Sequence, residues 1–426
     1  MAQKKNLVII GGGFGGLNLA KYVDKKQWEV LIVDKNNYHS FAPLFYQVAS
    51  SGLEPAGITF PLRREVRRKR MRGVRYTMGE VSRIDVKNKI VHTDYEALPY
   101  DAVVIAAGAT NNFFGIEGID KTVYTIKSTA ESIKTRNAIL YNLERATRTT
   151  DPKERRRLLT FAVVGGGPTG VEIAGALGEM KRWTISRDYP RISMDEVNVV
   201  LYEGTDRLLR TMSEKSSADA LRDLTELMVD VRLGKTMKSY QDHTLTFADG
   251  ETLECGMVIW TAGITGNHIE LEGTDVKPGP GGRFIVDEYN RVTGLEGVYA
   301  IGDIALHTDD RFPRGCPQLA QPAIQQGRTL AKNLNKEAGK ALVAFEYKDK
   351  GSMATIGRNR AVVDMGKIHF NGWFAWITWM AVHLVTLLGM RNKLVVFLNW
   401  IWNYFGFATS LRMILKPSRY PDEYRN

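Results

Sequence analysis

The sequence predicts an α/β protein with two Rossmann-like units and a helical C-terminal segment. Three observations carry that prediction. Residues 7–23 (LVIIGGGFGGLNLAKYV) and 161–177 (FAVVGGGPTGVEIAGAL) repeat one pattern of strand, glycine turn and helix. Each repeat is followed by an apolar strand that ends in an acid, Asp34 in the first case and Glu203 in the second. From Trp373 to Trp402 the composition turns aromatic, with Trp373, Trp376, Trp379, Trp400 and Trp402 among the 8 tryptophans of the chain.

Each repeat carries G-x-G-x-x-G, as Gly11, Gly13 and Gly16 and as Gly165, Gly167 and Gly170. The first glycine makes a tight turn, the second lets a pyrophosphate approach the backbone, and the helix N-terminus offers free N–H groups to the negative charge. Phe14 and Gly15 lie inside the first loop, and Pro168 and Thr169 inside the second. Asp34, followed by Lys35, and Glu203 stand where an acid holds ribose hydroxyls. Glu203 has no Arg directly after it, which favours NADH over NADPH, and Arg207 tempers that preference. The interval before Glu203 is long, and Lys181 to Glu196 reads as an inserted excursion.

The chain of 426 residues allows two or three domains. Its net charge of +11 favours an anionic partner: nucleic acid, acidic lipid or a phosphorylated cofactor. No aromatic-interleaved basic groove or reader motif accompanies the charge, so nucleic acid is not expected. Cys255 and Cys316 have no CxxC spacing, which suggests structural thiols, a reducing compartment, no disulfide framework and no metal site. The apolar run Leu7–Ile10 is short and ends in glycines, so a first strand rather than a targeting segment is expected there.

Residues 297–303 (GVYAIGD) read as a strand ending in glycine and aspartate before an apolar, helix-like stretch. This resembles the second flavin motif of the two-dinucleotide-binding flavoproteins of the glutathione reductase type. Residues 104–110 (VIAAGAT) and 258–263 (VIWTAG) resemble the strands that return from each nucleotide domain in that superfamily. The resemblance implies FAD on the first fingerprint, with Val81, Ala107, Gly108 and Asp303 beside it, and NADH on the second, with Gly263.

Disulfide reductases of that fold place a cysteine pair soon after the first acid, and residues 36–52 contain no cysteine. What stands there is His39-x-Phe41-x-Pro43-Leu44-x-Tyr46-Gln47-Val48-Ala49. It resembles the flavin-proximal segment of the type II NADH:quinone oxidoreductases, or alternative NADH dehydrogenases. Residues 319–327 (LAQPAIQQG) resemble that family's quinone motif, and residues 167–177, with Glu172, its nicotinamide fingerprint. The resemblance implies FAD contacts at His39, Pro43, Gln47 and Ala320, quinone contacts at Gln321 and Gln325, and a carboxylate at Glu172 near nicotinamide and flavin. Read from the residues alone, Thr169-x-x-Glu172 also fits a capping box, two glutamines four apart also fit a solvated helix face, and His39 also fits a buried structural histidine. A sulfide:quinone reductase and an NADH-responsive binding module remain as rival readings, the first disfavoured by the shortage of cysteines.

The apolar run 373–388 would make about 24 Å of helix against a hydrocarbon core of about 30 Å. A spanning hairpin with Leu394–Leu411 would leave Arg391 and Lys393 on the far side, so helices lying in the interface are expected. Asn399, Asn403, Gly406 and Ser410 form one polar or small stripe, a pattern that a soluble dimer interface also produces. Lys367, Arg391, Lys393, Arg412, Lys416 and the 63–72 cluster (RREVRRKRMR) could each add about 1 kcal/mol at an anionic membrane surface, and a solvated basic helix is the other reading of that cluster. His383, inside the first run, reads either as a proton-delivering group at a quinone entrance or as a core histidine bonded to backbone.

The architecture expected is therefore α/β, with two Rossmann-like dinucleotide-binding domains and a C-terminal helical membrane-anchoring segment. The FAD domain is placed at 1–115 and 270–350, the NADH domain at 116–269 and the membrane-binding segment at 351–426. The expected protein is a peripheral, monotopic, homodimeric flavoenzyme on the cytoplasmic face of the inner or cell membrane, passing electrons from NADH to a membrane quinone without pumping protons.

Overall fold

The computed structural model describes residues 3–337, 339–406 and 411–414; Ser410 and Lys416 lie outside the described residues. The chain forms two compact units, one from residues 1–40, 59–112 and 264–350, the other from 41–58, 113–263 and 351 onward. Segments 41–58 and 351 onward thus group with the second fingerprint. Site residues sit on or beside helices α1 (Phe14–Tyr22), α2 (Phe45–Ala49), α3 (Pro168–Glu179), α4 (Ala320–Leu334), α5 (Gly372–Thr386) and α6 (Met390–Gly406).

The first unit holds a five-stranded parallel sheet in the order Val298–Ala300, Ala102–Ile105, Lys5–Ile10, Trp28–Asp34, Val74–Met78. Its central strands are continuous apolar runs because parallel strands are covered on both faces; Leu7, Ile9, Val30, Ile32 and Val103–Ile105 are buried. The fingerprint strand, the first in the chain, lies between Trp28–Asp34, the next strand, and Ala102–Ile105, a later one, so its glycine turn opens where the strand order reverses, the switch point at which such sheets bind nucleotides. Helices α1 and α4 pack together at glycine, where a Cβ on Gly327 would sit 2.5 Å from the Gly15 carbonyl oxygen.

One expectation fails here. No helix follows Asp303 directly. Gly302–Ile304 is a single 3-10 turn, and Ala305–Leu306 then pairs in parallel with Phe284–Ile285. The apolar residues after Asp303 are buried strand rather than helix, which periodicity cannot distinguish over so short a run.

The second unit repeats the theme with a four-stranded parallel sheet, Val229–Arg232, Asn198–Tyr202, Thr160–Val164, Met257–Trp260. The excursion after α3 is a π-helical turn at Met180–Ile185, a short turn at Ser186–Asp188 and a 3-10 turn at Met194–Glu196. A three-stranded antiparallel sheet, Ser352–Gly357, Arg360–Met365 and Ile368–Asn371, follows in the same unit. It packs against α3 so closely that a Cβ on Gly175 would overlap the Ile356 carbonyl. Helix α5 covers the sheet through Ala375 on Ala361 and Val363. Helix α6 packs on the short helix Pro55–Ile58, with Val396 Cγ2 3.4 Å from where a Gly57 Cβ would stand. Among the described residues no helix is long and apolar enough to cross a membrane.

Candidate functional site

The two fingerprint turns have one geometry. Gly11 and Gly165 adopt φ of 109° and 112°, a region that L side chains rarely enter. A Cβ on Gly16 would overlap the Gly11 carbonyl, and one on Gly170 the Gly165 carbonyl, so each helix starts against the carbonyl end of its strand. At Gly13 and Gly167 a Cβ would meet nothing within 4 Å, which leaves the first helical turn open to a ligand. The strand-end acids match too: Asp34 Oδ2 accepts the Gly12 N–H at 2.7 Å, and Glu203 Oε2 accepts the Gly166 N–H at 2.6 Å. Each acid braces its glycine loop.

In the first unit, burial raises the Asp34 carboxyl above its ordinary value, opposed by the N–H groups of Asn36 and Gly12. His39 is buried, with Nδ1 3.0 Å from the Gly12 oxygen, Nε2 without a protein partner and Phe14 edge-on at 5.1 Å. Burial lowers its pKa, so the ring is neutral at pH 7. Gly108 has φ 70° and open space beyond it, and Asn267 Nδ2 donates to the Ala107 oxygen at 2.7 Å. Gly302 N donates to Gln326 Oε1 at 2.7 Å, and Gln318 Nε2 to the Asp303 carbonyl at 2.9 Å, so α4 and its approach hold the Asp303 turn. Lys35 is exposed and 3.5 Å from Glu80, Val81 opens the strand Val81–Asp85, and Ala320 is the first residue of α4. An orphaned buried imidazole nitrogen, an open helix start and open space at Gly108 fit a dinucleotide with an aromatic head.

Gln325 uses both ends of its amide on Lys348, accepting its N–H at 3.0 Å and donating to its carbonyl at 2.9 Å. Gln321 Oε1 accepts the Lys350 N–H at 3.3 Å. Both glutamines thus face one extended segment of the same unit.

In the second unit, Glu203 Oε1 also accepts from the Thr205 N–H and hydroxyl, both at 2.8 Å. The capping-box reading of Glu172 does not hold. The N-cap of α3 is Gly167 with Pro168 at N1, and no side chain caps the helix, so Thr169 and Glu172 both lie inside it. Proline sets this start because it lacks the N–H that the first turn cannot use. Phe114 lies against Gly263, its Cζ 2.5 Å from a notional Cβ there.

Glu172 instead lines a cavity of about 170 Å³ shared with Tyr46, Gln47, Glu179, Arg358, Trp379 and Trp400, among others. The Thr355 N–H donates to the Glu172 carboxyl and the Trp379 indole leans on it, although Trp379 Nε1 makes no hydrogen bond of good geometry. Burial outweighs both and raises Glu172 well above the carboxylate range. Gln47 Nε2 donates to the Tyr46 hydroxyl at 2.7 Å, Trp400 Nε1 donates to Gln47 Oε1 at 2.9 Å, and Asn403 Nδ2 donates to the Gly52 carbonyl at 3.0 Å. His383 borders this group: its ring stacks on Trp379 with centroids 4.0 Å apart. Pro43 lies in the 3-10 turn Ala42–Leu44 that leads into α2.

Tyr46, Glu179, Arg358, Trp379 and Trp400 are the cavity residues that motif reading passed over. Tyr46 stood inside a quoted motif, and Glu179 lies on the same face of α3 as Glu172, a signal available in the sequence. Cys255 and Cys316 are buried free thiols whose pKa values burial pushes up to about 12 and about 11, consistent with inert packing.

The pyridine nucleotide-disulphide oxidoreductase profile matches residues 5–327, and an NDH2 C-terminal domain profile matches residues 350–406. A type II NADH:quinone oxidoreductase of Mycobacterium tuberculosis, NdhA, is 35% identical over 422 residues, covering 95% of this chain and 88% of that protein. A second from that organism, Ndh, is 33% identical over 415 residues, covering 93% and 88%. The structure of NDH2 from Plasmodium falciparum in complex with NADH shares the fold at TM-score 0.88, with 23% identity, over 97% of this chain and 100% of that one.

Proposed function

The chain belongs to the type II NADH:quinone oxidoreductases, within the pyridine nucleotide-disulphide oxidoreductases, and on that premise we propose that it oxidises NADH through FAD and reduces a membrane quinone to quinol without pumping protons. The observation that carries the proposal is the cavity in which Glu172 and Gln47 meet aromatic side chains of α5 and α6, helices whose other faces are apolar and exposed. Bound flavin would supply the exchange between a two-electron hydride donor and a quinone.

The first fingerprint, with Asp34, Lys35, His39, Val81, Ala107, Gly108, Asp303 and Ala320, is assigned to FAD, and Pro43 and Gln47 keep the flavin role that the family resemblance implies. The second fingerprint, with Glu203 and Gly263, is assigned to NADH. In NADH + Q + H⁺ → NAD⁺ + QH₂ the hydride carries one proton and both electrons, so a second proton must reach the quinone from solvent. Glu172, whose protonated form burial favours, is the group assigned to deliver it. Gln321 and Gln325 hold the segment 348–350, and a quinone oxygen would compete for the same amides.

Membrane attachment is assigned to α5 and α6. Phe374, Val385, Trp402 and Phe405 are exposed by 73%, 71%, 70% and 78%, an apolar surface of the kind that interfacial helices bury in lipid. The basic 63–72 cluster suits an anionic headgroup layer. Steady-state assay of the detergent-dispersed holoenzyme with NADH and a short-chain quinone tests the reading: stoichiometric quinol formation supports it, and NADH oxidation that proceeds only with oxygen refutes it.

A further inference from the structure

We propose that Glu179 is a relay residue that returns a proton from solvent to Glu172 through the cavity that both side chains line. The inference rests on the quinone-reducing role given to that cavity. Glu172, Ala176, Glu179, Met180, Trp183 and Thr184 all line it, which makes one face of α3 and of the π-turn that continues it. Seven residues of helix put the two carboxyls about 10 Å apart along the axis, too far for direct transfer. A cavity of about 170 Å³ has room for several waters, and Gln47, Ser50, Thr184 and Asn403 on its wall are polar partners for them. Trp183, beyond Glu179 on this face, is 39% exposed, so the lining reaches the surface on the Glu179 side.

Glu179 is built in. Its Oε1 accepts the Arg358 N–H at 2.5 Å, and the Arg358 guanidinium donates to the Asn403 and Tyr404 carbonyls at 2.7 and 3.0 Å. Those carbonyls lie in the last turn of α6, so the guanidinium is anchored at that end of the helix. The charged or titratable groups around Glu179 are Arg358 and Arg360 from the sheet, Tyr46 from α2 and Glu172 from its own helix; Tyr404 of α6 faces Arg358. Burial raises the carboxyl despite both arginines, which favours its protonated form. In the step, Glu172 loses its proton to the reduced quinone oxygen, Glu179 passes one along the waters to Glu172, and solvent reprotonates Glu179. No electrons move in the relay.

The test compares wild type, Glu179→Gln and Glu179→Asp by anaerobic stopped flow, with flavin bleaching by NADH and its reoxidation by a short-chain quinone recorded from about pH 6 to pH 9. Glutamine keeps the acceptor for the Arg358 N–H and removes the proton. Glu179→Gln should bleach normally and reoxidise about tenfold more slowly at high pH, with a smaller deficit at low pH. Glu179→Asp should recover most of the rate. Independently of turnover, Glu179→Gln should remove one neutral-carboxyl band from the infrared pH titration of the protein. An unchanged reoxidation profile in Glu179→Gln, or an equal loss in both half-reactions, overturns the relay while leaving the quinone reading standing. Failure of wild-type flavin to reoxidise with quinone overturns both.

Discussion

His383 lies flat against Trp379, rings 4.0 Å apart and tilted by 24°, with Nδ1 2.6 Å from the Trp379 carbonyl one turn back. Burial lowers its pKa to about 4, opposed by that hydrogen bond. At pH 7 the ring is therefore neutral, with Nδ1–H donating to the carbonyl, and it shapes the indole beside Glu172 rather than carrying charge. His383→Ala should raise the quinone KM through a loosened Trp379 and leave NADH kinetics unchanged. A pH profile that loses an inflection between about 6 and 7 in this variant would return His383 to proton delivery.

Glu172→Gln should fold and bind NADH normally while slowing quinone-driven flavin reoxidation by about 10²-fold, the usual contribution of one positioned acid. Melting temperature and the two half-reactions, measured separately, check it. An equal slowing of bleaching by NADH would move Glu172 to the nicotinamide side of the reaction.

The open space at Gly13 and Gly167 separates folding from binding. Gly13→Ala should purify folded but depleted of flavin, and Gly167→Ala should keep its flavin and show a raised NADH KM. Gly16→Ala and Gly170→Ala push a methyl group into a carbonyl, and thermal denaturation should show both to be destabilised.

A latch of charges joins the C-terminal sheet to the helix Glu214–Glu226. His369 Nδ1 lies 2.9 Å from Asp364 Oδ1, and Nε2 lies 3.0 Å from Asp219 Oδ2. Burial lowers the imidazole pKa, but bonds to the two aspartates outweigh it and the net shift is upward. The folded value thus exceeds the unfolded value of about 6.5, so the stabilisation is complete below that pH and fades as pH rises through the folded value. The melting temperature should fall across that window, and His369→Gln should flatten the dependence. An unaltered slope in the variant would show that the latch carries no pH-linked stability.

Membrane binding should fail by substitution on the exposed face alone. Phe374→Glu with Trp402→Glu should abolish co-sedimentation with anionic vesicles and leave turnover with a soluble quinone within about twofold of wild type, since substitutions on an exposed face rarely disturb the fold. Undiminished sedimentation would assign the face to protein contact.

The glycine turns, their strands and the acids that brace them were legible because each is local: a few consecutive residues contain the whole physical requirement. The two C-terminal helices were legible from hydropathy. The cavity was not, because it exists only where the sheet at 352–365 and the helices after it fold back on α3, with Arg358 beside Glu179 and Trp379 beside Glu172. Glu172 was ambiguous for a related reason: Thr169 suits a cap, but Pro168 starts the helix two residues too early for it. The stretch after Asp303 was misread because a buried two-residue strand and a helix start look alike in an apolar run.

The central claim, electron transfer from NADH through flavin to quinone, is tested most directly by sequential anaerobic mixing of the detergent-dispersed holoenzyme, first with NADH and then with a short-chain quinone. The account predicts that the flavin band bleaches with NADH and returns with quinone at a rate no slower than steady-state turnover. A band that bleaches and stays bleached in excess quinone would contradict it.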